Sequence, residues 1–417
     1  MAIFYKKEED FMSKRREFMK GAAAAGMAAG TLALGSASAQ EKKGKTKAAP
    51  KPEEIKIDPR KPFKRTSRFR SELVTVGVVG SRYGGHASGI WGQDWNPDDS
   101  HIRTTGMNCH YVWCLREEDK QFYRDKYGFE PVKNPEDMIG RIDGVFVDDF
   151  NATPVNHLMA KPFLEAGVPT FVNRPCSTSM EKARFLTETA EKNKTPLMCG
   201  STWEYTESCG DVKATLANVP EIKGYVAHNS MSDFYTHGVH GIYYIYSCLK
   251  DEIRKGRGPA VAASYMTPDW KNCNGCVTFE HQTPKGPYYG SLHEPCGANG
   301  NAYIRVFCSR PFDAEGKIPA SPGYFFFNTW NALQLVIQQM FETKKSPEDG
   351  FDILEKTAMF LMAFRSHLER KGAPVRREEL EGWELMPPRK EDFGSTAFSI
   401  EELKQIARIF GGDYVAP

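Results

Sequence analysis

Two groups of residues have the types and spacing to do chemistry. The first is Gly77-Val78-Val79-Gly80-Ser81-Arg82-Tyr83-Gly84-Gly85-His86, a glycine-rich run that closes an apolar, β-branched stretch. Where such a run joins a strand to a helix, its backbone N–H groups can face the pyrophosphate of a dinucleotide. Gly80, Ser81, Arg82 and Gly85 are therefore candidate cofactor-binding residues. Counted from Gly80, the G-x-G-x-x-G spacing puts Arg82 where the second glycine belongs and Gly85 in third place. The acidic residue expected to hold ribose hydroxyls is absent from the end of the next apolar run, Trp113-Cys114-Leu115-Arg116. Arg116 suits a 2′-phosphate, hence NADP, whereas Asp98 and Asp99 stand near the right distance but in a loop-like Asn-Pro-Asp-Asp-Ser run. A glycine turn that merely joins strand to helix is the competing expectation. The second group is His237 and His240, three residues apart and so on nearly one helix face, with Asp233 four residues before His237 and placed to orient it. Histidine exchanges a proton near neutral pH. Tyr235, Tyr243, Tyr244 and Tyr246 either line a sugar site by stacking or fill the core.

The elements that must position these groups read as alternating strands and helices. Continuous apolar runs predict strands at Leu73 to Val79, His110 to Leu115, Gly144 to Val147 and Thr170 to Val172. Helical patterns lie between or after them at Glu117 to Tyr127, Pro154 to Ala166 and Ser179 to Lys192. This order predicts an α/β, Rossmann-like doubly wound parallel sheet over residues 71–200. After Tyr205 the rhythm changes to longer strands at Gly224 to Met231, Ala260 to Met266, Cys276 to His281 and Ala302 to Cys308. Helices interrupt or follow them at His237 to Lys255, Phe327 to Glu342, Pro347 to Arg370 and Ile400 to Phe410. Residues 201–417 are thus expected to form an α+β domain with a largely antiparallel sheet, whose open face would support a homo-oligomer.

The chain begins with an address. Ser13-Lys14-Arg15-Arg16-Glu17-Phe18-Met19-Lys20 precedes an uncharged Ala/Gly-rich run and then Ala37-Ser38-Ala39, the plan of a twin-arginine signal over residues 1–39. The uncharged run is too short and too poor in large apolar residues for a stable membrane span. Residues 40–70, rich in Lys, Pro and Ala, read as a disordered linker. Expected partners are therefore the twin-arginine translocase and a small molecule, with an extracytoplasmic, periplasmic destination. A formal charge of +2 with 26% charged residues gives no single-sign field, which argues against nucleic acid. The ten cysteines are scattered through apparent core elements. Cys273-Asn274-Gly275-Cys276 alone suggests a tight hairpin, read first as a plain turn, second as a disulfide and only distantly as a metal site. No metal is assigned.

Three segments together resemble the glucose-fructose oxidoreductase and inositol dehydrogenase (Gfo/Idh/MocA) family. Asp143-Gly144-Val145-Phe146-Val147 with Thr153-Pro154 and Asn156-His157 is similar to the loop beside the nicotinamide. Ala166-Gly167-Val168-Pro169-Thr170-Phe171-Val172-Asn173-Arg174-Pro175 resembles AG-x-x-V-x-x-E-K-P, with Asn173 and Arg174 in place of Glu and Lys. Thr236-His237-Gly238-Val239-His240-Gly241-Ile242 resembles the G-I-H-G segment of the substrate domain. The resemblance implies cofactor contacts from Thr153, Pro154, Asn173 and Arg174, and chemistry at His240, Arg174 and His237. Arginine does not release its proton near neutral pH, so Arg174 can bind or orient but not act as base. His240 then inherits that role, with His237 as understudy. The implied function is an exported oxidoreductase using tightly bound NAD or NADP on a sugar, polyol or related carbohydrate. The alternative is a catalytically degenerate member that binds nucleotide or carbohydrate.

Overall fold

The computed structural model describes residues 74–82, 107–219, 221–229, 233–266, 275–294, 302–309, 314–318, 331–386 and 397–417. The signal and linker segments, Gly85, Asp98, Asp99 and Cys273 lie outside the described residues. The first sheet contains β1 (Val74–Val79), β2 (Met107–Trp113), β3 (Glu130–Pro131), β4 (Gly144–Val147), β5 (Thr170–Asn173) and β6 (Leu197–Gly200). Its helices are α1 (Glu117–Tyr127), α2 (Asn156–Glu165) and α3 (Met180–Asn193). The strand order is β3-β2-β1-β4-β5-β6, parallel throughout. Central strands covered on both faces must be apolar on both, and every residue of β4 and β5 is buried. Local chemistry sets the helix ends. Ser179 accepts a hydrogen bond from the Lys182 N–H at the start of α3, and Gly128, at φ 71°, ends α1 in the left-handed region.

Chain order continues with α4 (Glu207–Leu216), β7 (Ile222–Asn229), α5 (Val239–Glu252), β8 (Pro259–Met266), β9 (Gly275–His281), β10 (Tyr288–Glu294), β11 (Ala302–Cys308) and β12 (Ala314–Ile318). Then follow α6 (Asn331–Thr343), α7 (Gly350–Arg370), β13 (Val375–Arg376) and α8 (Ile400–Ile409). The second sheet has the order β12-β11-β7-β10-β9-β8-β13. Only the β7–β10 pairing is parallel among its described ladders. Its strands alternate buried and exposed residues, as a sheet with one covered face requires. Val226, Tyr265, Tyr289 and Phe307 are large apolar side chains left exposed on these strands. The fold class is therefore as expected: a parallel Rossmann-like sheet plus a mixed, mostly antiparallel one.

Several boundaries differ. Strand β2 starts at Met107 rather than His110, because Met107 to Cys109 continue the ladder beside Val74 to Val76. The expected helix from His237 begins instead with a π-turn, Phe234–Gly238, capped by Asp233, before α5 proper. Half of the expected tight hairpin, Cys273 and Asn274, lies outside the described residues. Gly275 already lies in β9 opposite Met266, and Cys276, opposite Tyr265 and His293, is a free thiol. Strand β10 went unread because Gly290 interrupts its apolar pattern. A Cβ there would sit 1.9 Å from Cζ of Tyr225, so packing, not turn formation, demands the glycine.

Candidate active site

Parallel sheets of this strand order open a crevice at the C-terminal ends of β1 and β4, where the chain's winding reverses. The described edge of that crevice carries Gly80 to Arg82 after β1, Asp148 and Asp149 after β4, Asn173 and Arg174 at the end of β5, and Ser201 after β6.

Arg174 is 2% exposed. Its backbone N–H and Nη1 donate to Asn173 Oδ1 at 2.9 and 3.3 Å. Its Nε and Nη2 lie 3.0 and 2.8 Å from Nε2 of His240, on α5. A guanidinium has donors only, so His240 Nε2 must be the acceptor and carry no proton. The ring proton therefore sits on Nδ1, which donates to Ser201 Oγ at 2.5 Å. Ser201 Oγ also accepts from the Trp203 N–H at 3.2 Å, and the Trp203 ring lies 5.4 Å from that of His240. Burial pulls the Arg174 guanidinium down to about 10, which leaves it charged at neutral pH. A fixed cation thus faces the lone pair through which His240 would take up a proton.

His237 is arranged differently. Its Nδ1 is 2.5 Å from Oδ2 of Asp233, and its side chain is 27% exposed where that of Asp233 is 6%. Thr236 donates to both carboxylate oxygens of Asp233, through its N–H at 2.6 Å and its hydroxyl at 2.5 Å. Burial pushes the Asp233 carboxyl up, but His237 and these bonds hold it below its usual range. The π-turn brings the two histidine rings to 6.2 Å, and Asn229 on β7 donates to the His237 carbonyl. An acid-oriented imidazole can accept a proton at its other nitrogen.

The expected cofactor residues are only partly gathered. Gly80 is required by its own backbone packing, since a Cβ would stand 2.7 Å from the Asp148 carbonyl. The Ser81 N–H donates to Asp149 Oδ2 at 2.8 Å, and Asp149 Oδ1 accepts from the Asn151 N–H. Burial raises the Asp149 carboxyl to about 7 despite these bonds. Arg82 turns onto α1, with Nε 3.1 Å from Asp119 and its guanidinium 5.6 Å from the Phe122 ring centre. Arg116 grips both carboxylate oxygens of Glu402 at 2.7 and 3.0 Å, donates to the Ala397 carbonyl and lies over Phe398. Its fork ties α8 to the end of β2. Thr153 and Pro154 lie in a 3-10 turn, Phe150–Val155, where the Thr153 hydroxyl donates to the Phe150 carbonyl.

Sequence reasoning missed Ser201, Trp203, Asp149 and a buried ionic cluster behind them. Lys356 Nζ, fully buried on α7, donates to the Cys199 carbonyl at 2.6 Å and pairs with Glu204 and Glu348 at 2.9 and 2.5 Å. Glu348 and Glu204 in turn accept from the backbone N–H groups of Cys199 and Ser201. The cluster fixes the end of β6 that presents Ser201 to His240. The three partners are separated in sequence, so no local pattern marks them. Among the described residues, no group of three or more His, Cys, Asp or Glu is placed to hold a metal. No helix of the described residues is long and apolar enough to cross a membrane.

A nicotinamide nucleotide finds some of what it needs here. The Asn156 amide, the Thr202 hydroxyl and the Trp203 indole N–H are buried without a hydrogen-bond partner, next to β4, β6 and His240 respectively. Such orphaned groups suit a polar ligand at this edge.

Comparison with known proteins agrees with the sheet order. Residues 74–201 match the family model described as "Oxidoreductase family, NAD-binding Rossmann fold" (GFO_IDH_MocA). No curated protein matches the sequence. Among solved structures, GenD2 from gentamicin A biosynthesis, in complex with NAD, superposes with a TM-score of 0.59 at 14% identity, covering 75% of this chain and 99% of its own. The scyllo-inositol dehydrogenase of Lactobacillus casei, with bound NAD(H) and scyllo-inositol, gives 0.57 at 12% identity, covering 73% and 99%. A probable dehydrogenase of Thermotoga maritima gives 0.56 at 14%, covering 74% and 100%. At these identities the likeness is one of fold. Residues 74–201 are thus similar to the NAD-binding Rossmann fold of the Gfo/Idh/MocA oxidoreductase family.

Proposed function

We propose that this protein is an exported oxidoreductase that moves a hydride between a tightly held nicotinamide nucleotide and a CH–OH group of a sugar, polyol or cyclitol. The observation that carries this reading is the meeting of Arg174, His240 and the Asp233–His237 pair at the C-terminal edge of a sheet of the NAD-binding family. Thr153, Pro154, Asn156 and Asn173 would hold the nucleotide, and bound nicotinamide would supply the hydride acceptor. His237, its Nδ1 fixed by Asp233, takes the hydroxyl proton. Arg174 keeps His240 neutral, and its cationic fork favours the developing oxyanion. This reverses the order of the two histidines expected from the sequence, because the guanidinium disfavours protonation of His240.

The twin-arginine plan of residues 1–39 supports export in the folded state, with cofactor loaded before passage through the translocase. Exposed Val226, Tyr265, Tyr289 and Phe307 on the second sheet support a homo-oligomer. A second reading, nucleotide or carbohydrate binding without turnover, is favoured by the Asp149 carboxylate on the Ser81 N–H and by Arg82 turned onto Asp119.

The test uses full-length protein purified from the exported fraction. Its denatured supernatant is expected to contain NAD or NADP, and added polyols are expected to change the absorbance of the reduced nicotinamide. Nucleotide without turnover would establish the second reading. No nucleotide, with none taken up on titration, would sink both nucleotide-dependent readings.

A further inference from the structure

Away from the histidines, two buried thiols face each other between α4 and α5. Cys248 Sγ lies 3.6 Å from Cys209 Sγ, van der Waals contact for two sulfurs. Cys209 is 1% exposed and Cys248 2%. Cys209 stands in the first turn of the ten-residue helix α4, where its N–H donates to the capping Thr206 hydroxyl. A helix N-terminus favours a thiolate. Its sulfur also lies 3.1 Å from Ser247 Oγ, and Lys213, one turn further along α4, donates to that same hydroxyl at 3.2 Å. The S–H of Cys248 and then the Lys213 ammonium hold the Cys209 thiol below its usual range against burial, whereas burial pushes Cys248 up. One sulfur is set up to attack and the other to resolve.

We propose that Cys209 and Cys248 are a redox pair that hydrogen peroxide converts to a disulfide bridging α4 and α5. The Cys209 thiolate attacks one peroxide oxygen, the O–O bond breaks, and the departing oxygen leaves as water after protonation. The resulting sulfenic acid is attacked by the Cys248 sulfur, the S–S bond forms, and the S–OH oxygen leaves as a second water. Two thiols are oxidised by two electrons and one peroxide is reduced to two waters, so the step balances. The two sulfurs start 3.6 Å apart, against about 2 Å in the bridge. The bridge would join α4, which follows the Ser201 strand end, to α5, which carries His240 two turns before Cys248. It goes beyond the dehydrogenase reading and does not depend on it.

The experiment treats full-length folded protein with dilute hydrogen peroxide, alkylates it after denaturation, and maps the peptides. The expected result is a linked peptide joining Cys209 to Cys248, reversed by dithiothreitol, with both residues alkylated in the untreated protein. Cys209→Ser and Cys248→Ser should each abolish that link, and circular dichroism confirms that the variants are folded. A quantitative recovery of both cysteines in alkylated form after peroxide would overturn the proposal. So would a reducible link that pairs either cysteine with a third one, such as Cys199.

Discussion

Replacing Arg174 by glutamine tests the assignment of the two histidines most directly. The wild-type guanidinium lies 2.8 to 3.0 Å from His240 Nε2, which puts the centres of charge of an arginine and a protonated His240 about 4 Å apart. At an effective dielectric of about 20, two like charges at that separation repel by roughly 4 kcal/mol. That is about a thousandfold in the proton affinity of Nε2. Glutamine keeps a donor for Nε2 but removes the charge. The assay is the imidazole ¹⁵N spectrum of histidine-labelled protein, with His240 assigned by loss of its signals in His240→Gln. In wild type, His240 should show the Nδ1–H tautomer and stay neutral across roughly pH 5 to 8. In Arg174→Gln its protonation should become easier by up to the same thousandfold. A wild-type His240 that is cationic at neutral pH, or that carries its proton on Nε2, would refute the reasoning. An unchanged titration in the variant would refute it too.

Three further outcomes follow from the packing. Lys356→Met removes the cation that pairs with both Glu204 and Glu348, two buried carboxylates, and should cost about 3–5 kcal/mol in chemical denaturation, so a stability near wild type would contradict the cluster's role. Gly290→Ala forces a methyl onto the Tyr225 ring and should destabilise by about 1–3 kcal/mol, read as a lowered Tm. Partial burial pushes Glu402 up, yet Arg116 pulls it down to about 2 from an ordinary 4.5. A depressed carboxyl contributes stability above its unfolded value and loses it as pH falls toward its folded value. Because the pair is partly solvated, the contribution should be on the order of 1 kcal/mol. Glu402→Gln should therefore flatten the fall in Tm between about pH 5 and pH 3, and an unchanged pH dependence would show that the pair adds nothing.

The parts of the fold legible in sequence were those that local pattern dictates. Strands β4 and β5 are buried on every residue, so their apolar runs stood out, and α1 runs over the residues its pattern predicted. Strand β6 is only four residues long, and β10 hides behind Gly290, whose absence of a side chain answers to Tyr225 far away in sequence. The site was legible in its residue types. Arg174, His237, His240 and Asp233 could all be named as chemically interesting from spacing and resemblance.

Their roles were not legible, because a proton's place depends on what each nitrogen faces. The sequence by itself determined the alternating α/β order, the glycine turn, and the fact that arginine stands where a base would be useful. Only the tertiary structure decided that Arg174 faces His240 Nε2, that Ser201 takes the Nδ1 proton, and that Asp233 holds His237. It likewise decided that Arg116 belongs to Glu402, 286 residues away. Hydrogen-bond direction and charge proximity are properties of atoms a few ångströms apart in space, and a chain that brings distant residues together does not write those distances into its local pattern.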